Sequence, residues 1–549
     1  MTLRIAVLAP MLQEAQYQAD YTVKLKSNRR ELTLEAMYQF LLNHFDEVSM
    51  PWELKHEDDI PAAGFYLASL LKSKGYDVTL GSHYDEASLQ KMADFSPDVI
   101  CLSTTMLVSI GALRKVVDGI RRYMPGVFII AGGVFVWKNH LSSLTRYSQN
   151  TKDIYDYGLF NQKGRELSID AFVAAPHGAE ALLAILKELE KGRRRDLAYI
   201  SNLILPVPGK GYMQTARKEE PVDYNEDITQ WEFIDEMPSR IPLRTSVGCP
   251  FRCSFCDFCT LYPKMHMRSA ESLSRELSMI NQRLKNRVSV IHVSDDNVFI
   301  NPKRLQEVCG VFERCGVSGW IAFMRASSVN EGNIDLVKRS GLLMSILGVE
   351  SGDENQLRRM RKHMDIRVQK KGIELLDAHG ISVLMSFVVG FPGETRETIH
   401  NTIRFLNSLE LQRAITSYHM YPLYLFPLSE LGDPEFREKW QLRGSAGKWK
   451  HATMDSDQAM DFAYTIYSNV PDLPYHYYDE SNFFNLSMFS LEERTELFRI
   501  RNRMAQQLME NRPGHAVAGS FREIAAIMGF DPEMVPDGIA EKFYVKEGG

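Results

Sequence analysis

No apolar stretch in the 549-residue sequence approaches the roughly 20 consecutive positions that a bilayer span requires. The longest candidates, 341–349 and 383–391, stop well short of that length. The opening Met-Thr-Leu-Arg-Ile-Ala-Val-Leu-Ala-Pro holds too short an apolar run for a signal peptide and reads as a first buried strand. An excess of positive charge is missing too: 64 Lys+Arg against 70 Asp+Glu leave −6, no general footing for a phosphate backbone or an anionic membrane. The brief basic clusters 191–195 and 358–362 stand beside acidic residues and read as solvated helix ends. Short repeats and low-complexity tracts are absent, and 44% hydrophobic with 24% charged residues excludes wholesale disorder. Cysteine is sparse. Seven are present, an odd number, which without a secretory signal argues against a disulfide framework. The expectation is a cytoplasmic protein of three or four domains, with neither nucleic acid nor membrane as partner.

Residues 1–205 alternate short β-rich runs (4–8, 77–80, 98–103, 127–131) with helical patterns (61–75, 87–93, 111–123). Such alternation predicts parallel βαβ units in a doubly wound, Rossmann-like α/β sheet, with ligand at the carboxyl ends of the strands. Those ends carry Ser103-Thr104-Thr105 and Ala131-Gly132-Gly133-Val134. Residues 11–58 interrupt the first unit as a long insertion. Residues 206–240 read as a Pro/Gly-punctuated surface linker. Over 241–421, strands are predicted at 243–248, 288–294, 319–325, 342–349, 382–389 and 414–421. Helices are predicted between them at 269–284, 302–314, 334–340, 367–378 and 394–409. Six strands and five helices make a partial barrel, open because eight units are needed to close one. Residues 422–549 read as a third, mostly helical domain, with an aromatic run at 462–489. That run either caps the barrel or supplies the helical core, and packing favours the core.

Four of the seven cysteines fall within one short loop, Cys249-Pro-Phe-Arg-Cys253-Ser-Phe-Cys256-Asp-Phe-Cys259. Intervals of three and two residues let one loop set three thiolates around a [4Fe–4S] cubane, whose fourth iron then stays open to a chelating ligand. Two alternatives remain at this stage: structural zinc held by all four thiolates, or Cys259 as a fourth cluster ligand. Cys101, Cys309 and Cys315 read as ordinary core thiols.

The triplet after a first barrel strand, with Phe255 before its last cysteine, resembles the radical S-adenosylmethionine superfamily. Three strand-end motifs strengthen the resemblance: Ser294-Asp295-Asp296-Asn297, Gly348-Val349-Glu350-Ser351-Gly352, and Ser386-Phe-Val-Val-Gly390-Phe-Pro-Gly393-Glu394-Thr395. It implies Cys249, Cys253 and Cys256 as cluster ligands, with S-adenosylmethionine chelating the open iron. Phe255 is then expected near the adenine, and Ser294, Asp295 and Asp296 near the methionine amino group. Arg325 is expected at the carboxylate, Glu350 and Ser351 at the ribose and carboxylate, and Gly390 on the same rim. The amino-terminal region resembles the cobalamin-binding domain found ahead of the barrel in one class of that superfamily. The resemblance implies cobalamin at Ser103, Thr104, Thr105, Gly132, Gly133 and Val134. Domains that ligate cobalt through histidine carry Asp-x-His-x-x-Gly after the first strand. Here Ala9-Pro10-Met11 follows it, and His83 lacks the flanking Asp and Gly, so no histidine is expected beneath the cobalt.

Together these resemblances, over about residues 1–420, imply a cobalamin-dependent radical C-methyltransferase. It would take a hydrogen from a carbon of a small natural-product or amino-acid-like substrate and deliver methyl from methylcobalamin. The electron donor would be flavodoxin- or ferredoxin-like, or a chemical reductant. Within enzymes, the alternatives are oxidation, cyclisation or rearrangement without net methyl transfer, and polar methylation of a tryptophan-like aromatic carbon. Outside enzymes, the alternative is a zinc-holding binding module, which colour separates from an iron–sulfur protein.

Overall fold

The computed structural model describes residues 3–10, 26–27, 30–31, 61–144, 158–161, 167–193, 197–238, 240–285, 289–411, 416–470, 473, 490–509 and 514–537. Most of the 11–58 insertion, and Tyr475 to Phe489 of the aromatic run, lie outside these residues. The chain divides into two compact units. One takes 1–17, 56–320 and 424–450; the other takes 18–55, 321–423 and 451–549. Among the described residues, no helix is long and apolar enough to cross a membrane.

The first unit is built on β1 (Arg4–Leu8), α1 (Ala62–Ser73), β2 (Asp77–Gly81), α2 (Glu86–Asp94), β3 (Val99–Ser103), α3 (Ile110–Tyr123), β4 (Phe128–Gly132), α4 (Val134–Ser143), β5 (Ala171–Val173), α5 (Ala179–Glu190), β6 (Leu203–Val207) and β7 (Gly211–Gln214). The strand order is β2-β1-β3-β4-β5-β6-β7, parallel as far as β5. β3 is buried along its whole length, as a central parallel strand covered on both faces must be. α3 buries Ile110, Leu113, Val116, Val117 and Ile120 at helical spacing, and Ser109 caps it by accepting the Ala112 N–H at 3.0 Å. The 2-1-3-4-5 order places the topological switch between β1 and β3, so the ligand crevice opens beside Ser103 and the end of β1.

The expected linker contains structure of its own. β6 and β7 pair antiparallel at one end of the sheet, with Pro206 opposite Tyr212. Trp231 is fully buried, and its indole N–H donates to Glu276 at 2.9 Å; Glu276 in turn pairs with Arg268 at 2.5 Å. Residues 206–240 thus combine this hairpin with an irregular, mostly exposed stretch that Ile228, Trp231, Ile234 and Met237 tie to the fold. Their Pro and Gly mark a hairpin turn, and Trp231 anchors the rest.

The barrel series runs β8 (Arg240–Leu243), α6 (Ala270–Leu284), β9 (Val290–Val293), α7 (Pro302–Arg314), β10 (Trp320–Met324), α8 (Ile334–Arg339), β11 (Leu342–Glu350), α9 (Ile366–Ala378), β12 (Ser382–Val389), α10 (Arg396–Asn407) and β13 (Thr416–Pro422). These six strands form one open sheet in chain order. Pairing is parallel for β8 with β9 and from β11 through β13. One prediction shifts: the first strand ends at Leu243, and Ser246–Val247 instead pairs antiparallel with His266–Met267. That small ladder closes the cysteine loop at its base. The C-terminal region is mostly helical, as expected: α11 (Pro434–Trp440), α12 (Ser456–Ser468), α13 (Leu491–Met509) and α14 (Gly514–Ile527), with a hairpin Arg443–Ser445/Lys448–Lys450. Tyr464 is half-buried and Tyr467 fully buried in α12, in line with a packing role for that end of the aromatic run.

Candidate functional site

The cysteine loop leaves the Ser246–Val247 ladder through Gly248. Its φ is +88°, and a Cβ there would stand 3.0 and 3.2 Å from the Lys264 and Tyr262 carbonyls, so the position suits glycine alone. Cys249, Cys253, Cys256 and Cys259 are all half-buried. The Cys256 N–H donates to the Cys253 carbonyl at 3.1 Å, turning those two side chains into one neighbourhood. Phe255 between them is half-buried. Burial pushes the Cys256 thiol well above its ordinary range, with Asp257, Cys253 and Asp296 adding to the shift against a bond from the Phe258 N–H. A bare thiolate is thus costly there, and a soft cationic centre would relieve the cost, so this donor set fits an iron–sulfur cluster. Among the described residues, no three His, Cys, Asp or Glu side chains are arranged to share a single ion.

Behind the loop, the end of β9 acts as a staple. Asp295 accepts the Thr245 N–H at 2.7 Å, the Thr245 hydroxyl at 2.5 Å and the Ser246 hydroxyl at 2.6 Å. Both of its oxygens are committed, so Asp295 fixes the entry to the cysteine loop rather than offering its carboxylate to a ligand. Asp296 is held by the Gly248 N–H. Burial, reinforced by Asp295 and Asp257 and opposed by Arg244, pushes its carboxyl up to about 6. Ser294 is half-buried; its hydroxyl donates to the His292 carbonyl at 3.4 Å and its N–H to the Leu243 carbonyl at 2.8 Å.

The Gly-Gly corner lies in the same unit. Gly132 offers its carbonyl to the Thr104 N–H and hydroxyl at 2.7 and 2.8 Å, and the Thr104 oxygen accepts the Val136 N–H at 3.3 Å. Thr104 is fully buried and spent inside the fold, while the Ser103 hydroxyl donates to that of Thr105 at 3.2 Å. Gly133 has φ +106°, and a Cβ there would stand 2.9 Å from the Thr105 hydroxyl. Gly133→Ala is expected to cost about 1–3 kcal/mol and to lower retained cobalamin per chain, read as the shift in denaturation midpoint and as corrin absorbance after gel filtration.

From this corner α4 runs onto the cysteine loop. Trp137 packs with Leu261 and Leu428, joined by Val134, Phe258 and Tyr262, and its indole N–H points to the Leu261 carbonyl at 3.5 Å. Lys138 Nζ lies 3.0 Å from Asp257 Oδ2, next in chain to Cys256. From the other side, Ser254 donates to Glu430 at 2.6 Å and Thr260 to the Leu428 carbonyl at 3.0 Å.

In the second unit, Glu350 ends β11 with φ +67° and a register shift after Gly348. A bulge of this kind re-aims a side chain. The Glu350 carboxylate folds back over Gly348 and pairs with Lys362 at 2.8 Å; a Cβ on Gly348 would lie 2.7 Å from the Lys362 ammonium. Arg325 is buried and donates to the carbonyls of Lys362 and His363, so Arg325, Lys362 and Glu350 form one connected group. Ser351 is buried and accepts the Asp353 N–H at 3.1 Å. Gly390, at φ +95°, donates its N–H to Glu394, and its carbonyl lies 2.9 Å from His451 Nε2. Burial, with Asp353 adding, pushes the Glu394 carboxyl up to about 8 against the Gly390 N–H and Arg359. Lys362 corrects the sequence reading of 358–362: it is buried and ion-paired, not a solvated helix end. His451 and Lys138 also escape that reading, since neither belongs to a recognisable motif.

Two family models match: the radical SAM superfamily over residues 243–406 and the B12 binding domain over 57–142. The chain therefore contains a radical S-adenosylmethionine domain and a B12-binding domain. Its cofactors are accordingly a [4Fe–4S] cluster, S-adenosylmethionine and cobalamin. It is 24% identical to the anaerobic magnesium-protoporphyrin IX monomethyl ester cyclase of Rubrivivax gelatinosus, over 68% of this chain and 66% of that one. It is 22% identical to the hopanoid C-3 methylase of Methylococcus capsulatus, over 59% of each. The matches thus span two thirds or less of these relatives' length. Among solved structures, the cobalamin-dependent S-adenosylmethionine radical enzyme OxsB with aqua-cobalamin and S-adenosylmethionine bound shares the fold, with a TM-score of 0.58 at 14% identity, covering 99% of this chain and 78% of that one.

Proposed function

We propose that this protein is a cobalamin-dependent radical C-methyltransferase acting on a small molecule. The observation that carries the reading is the seating of α4, which begins at the Gly-Gly corner of the B12-binding domain, against the three-cysteine loop. One scaffold thereby holds both proposed cofactor sites. When bound, the cluster with S-adenosylmethionine supplies radical generation, and cobalamin supplies a transferable methyl group.

The chain's own residues position and shield. Cys249, Cys253 and Cys256 hold the cluster, with Asp295 and Asp296 bracing the loop from behind and Phe255 beside the adenine. Arg325, Glu350, Ser351 and Gly390 serve the nucleotide, the Glu350–Lys362 pair fixing the carboxylate in place. Gly132, Gly133, Ser103 and Thr105 face the corrin, and Val134 helps seat α4. A flavodoxin- or ferredoxin-like donor in the cytoplasm supplies electrons, and residues 422–549 shape the substrate side. Methylases among the relatives favour net methyl transfer; the cyclase represents the second reading.

Anaerobic holoprotein given dithionite and S-adenosylmethionine is expected to release both 5′-deoxyadenosine and S-adenosylhomocysteine. Deoxyadenosine alone favours cyclisation or oxidation, and S-adenosylhomocysteine alone favours polar methylation of an aromatic carbon. Neither product, with cluster and cobalamin loaded, overturns the proposal.

A further inference from the structure

We infer that Lys138, a residue of the B12-binding domain, sets the reduction potential of the cluster held by the cysteine loop. The inference rests on the cluster reading above. Lys138 lies on α4 about one helical turn beyond Gly133. Its ammonium is 3.0 Å from the Asp257 carboxylate, and the two side chains are only 12% and 2% exposed. The same ammonium stands 4.5 Å from the centre of the Phe426 ring and 5.7 Å from that of Phe258. Two aromatic faces and one carboxylate therefore surround a cation that water barely reaches, which strengthens both kinds of attraction.

Asp257 follows Cys256 directly, so its charge is tethered to a cluster ligand. Adding an electron to a thiolate-bound cluster adds negative charge, and an uncompensated buried carboxylate beside it would oppose that step. Lys138 cancels this charge. It reaches the loop from another domain, on a helix that Trp137 locks to Leu261 and Leu428. Lys138 is thus a positioning residue that acts on the cluster through Asp257.

The test is an EPR-monitored redox titration with dithionite on the reconstituted full-length chain, at a pH where carboxylates are ionised. Lys138→Met is expected to disfavour reduction at least tenfold, a shift of about −59 mV for one electron. Asp257→Asn should move the potential the other way, and the double variant should return near the wild-type value. Lys138→Arg keeps the charge and should stay near wild type. Iron and sulfide are measured on every protein. A wild-type chain that loads no iron defeats the cluster reading itself. Loaded Lys138→Met and Asp257→Asn proteins with unchanged potentials overturn the role of Lys138 alone.

Discussion

Alanine at Cys249, Cys253 or Cys256 is expected to reduce iron and sulfide to background and abolish the broad visible absorbance, whereas Cys259→Ala should leave both in place. The asymmetry follows from where the fourth sulfur sits. The Cys259 thiol is directed at the Cys256 carbonyl, at 3.9 Å, from the single turn Phe258–Leu261. That turn is pinned by Phe258 and Leu261 packing around Trp137 and by the Thr260 bond to Leu428. Moving Cys259 onto a cluster would mean withdrawing these contacts. Cys253 and Cys256, by contrast, share a turn, and Cys256 is under the electrostatic pressure that a cationic centre relieves. Iron and sulfide analysis of the four single variants decides the matter. If Cys259→Ala also loses its iron, all four thiolates cap the cluster and no iron is left for S-adenosylmethionine.

Where hydrophobic pattern alone sets an element, the sequence is legible to the residue: β12 and α7 fall at the predicted 382–389 and 302–314. It misleads where tertiary partners decide. Thr245-Ser246-Val247 has strand chemistry, but Asp295 draws it away from the barrel sheet. The helix α4 is buried on more than one side, including Asn139, His140 and Ser142, and so shows no clean apolar stripe. Without α4, nothing in the sequence links the Gly-Gly corner to the cysteines. At the rim, composition makes Asp295, Asp296 and Thr104 candidates alike. Only hydrogen bonding separates the side chains consumed by the fold from those still facing outward. Lys362 is hidden for a related reason: its charge looks solvated until Glu350 is seen folded back over Gly348.

Raising the pH from about 6.5 to about 8 is expected to cost the wild-type protein stability that Glu394→Gln retains. The Glu394 carboxyl is held up at about 8 in the fold, against an ordinary value of 4.5. Between those values the unfolded chain has released this proton and the folded chain still holds it. Its contribution is therefore complete below pH 4.5 and is lost as the pH rises through about 8. At about 1.36 kcal/mol per pH unit, the whole window is worth at most about 5 kcal/mol, and the stretch above pH 6.5 about 2. His451, across Gly390, has the opposite sign: burial lowers its value below 6.5, so its contribution is lost as the pH falls and lies outside this range. Gln preserves an oxygen to accept the Gly390 N–H but has no proton to lose. Urea midpoints across the range should fall for wild type and stay nearly level for Glu394→Gln. Parallel slopes would assign the pH dependence to another group.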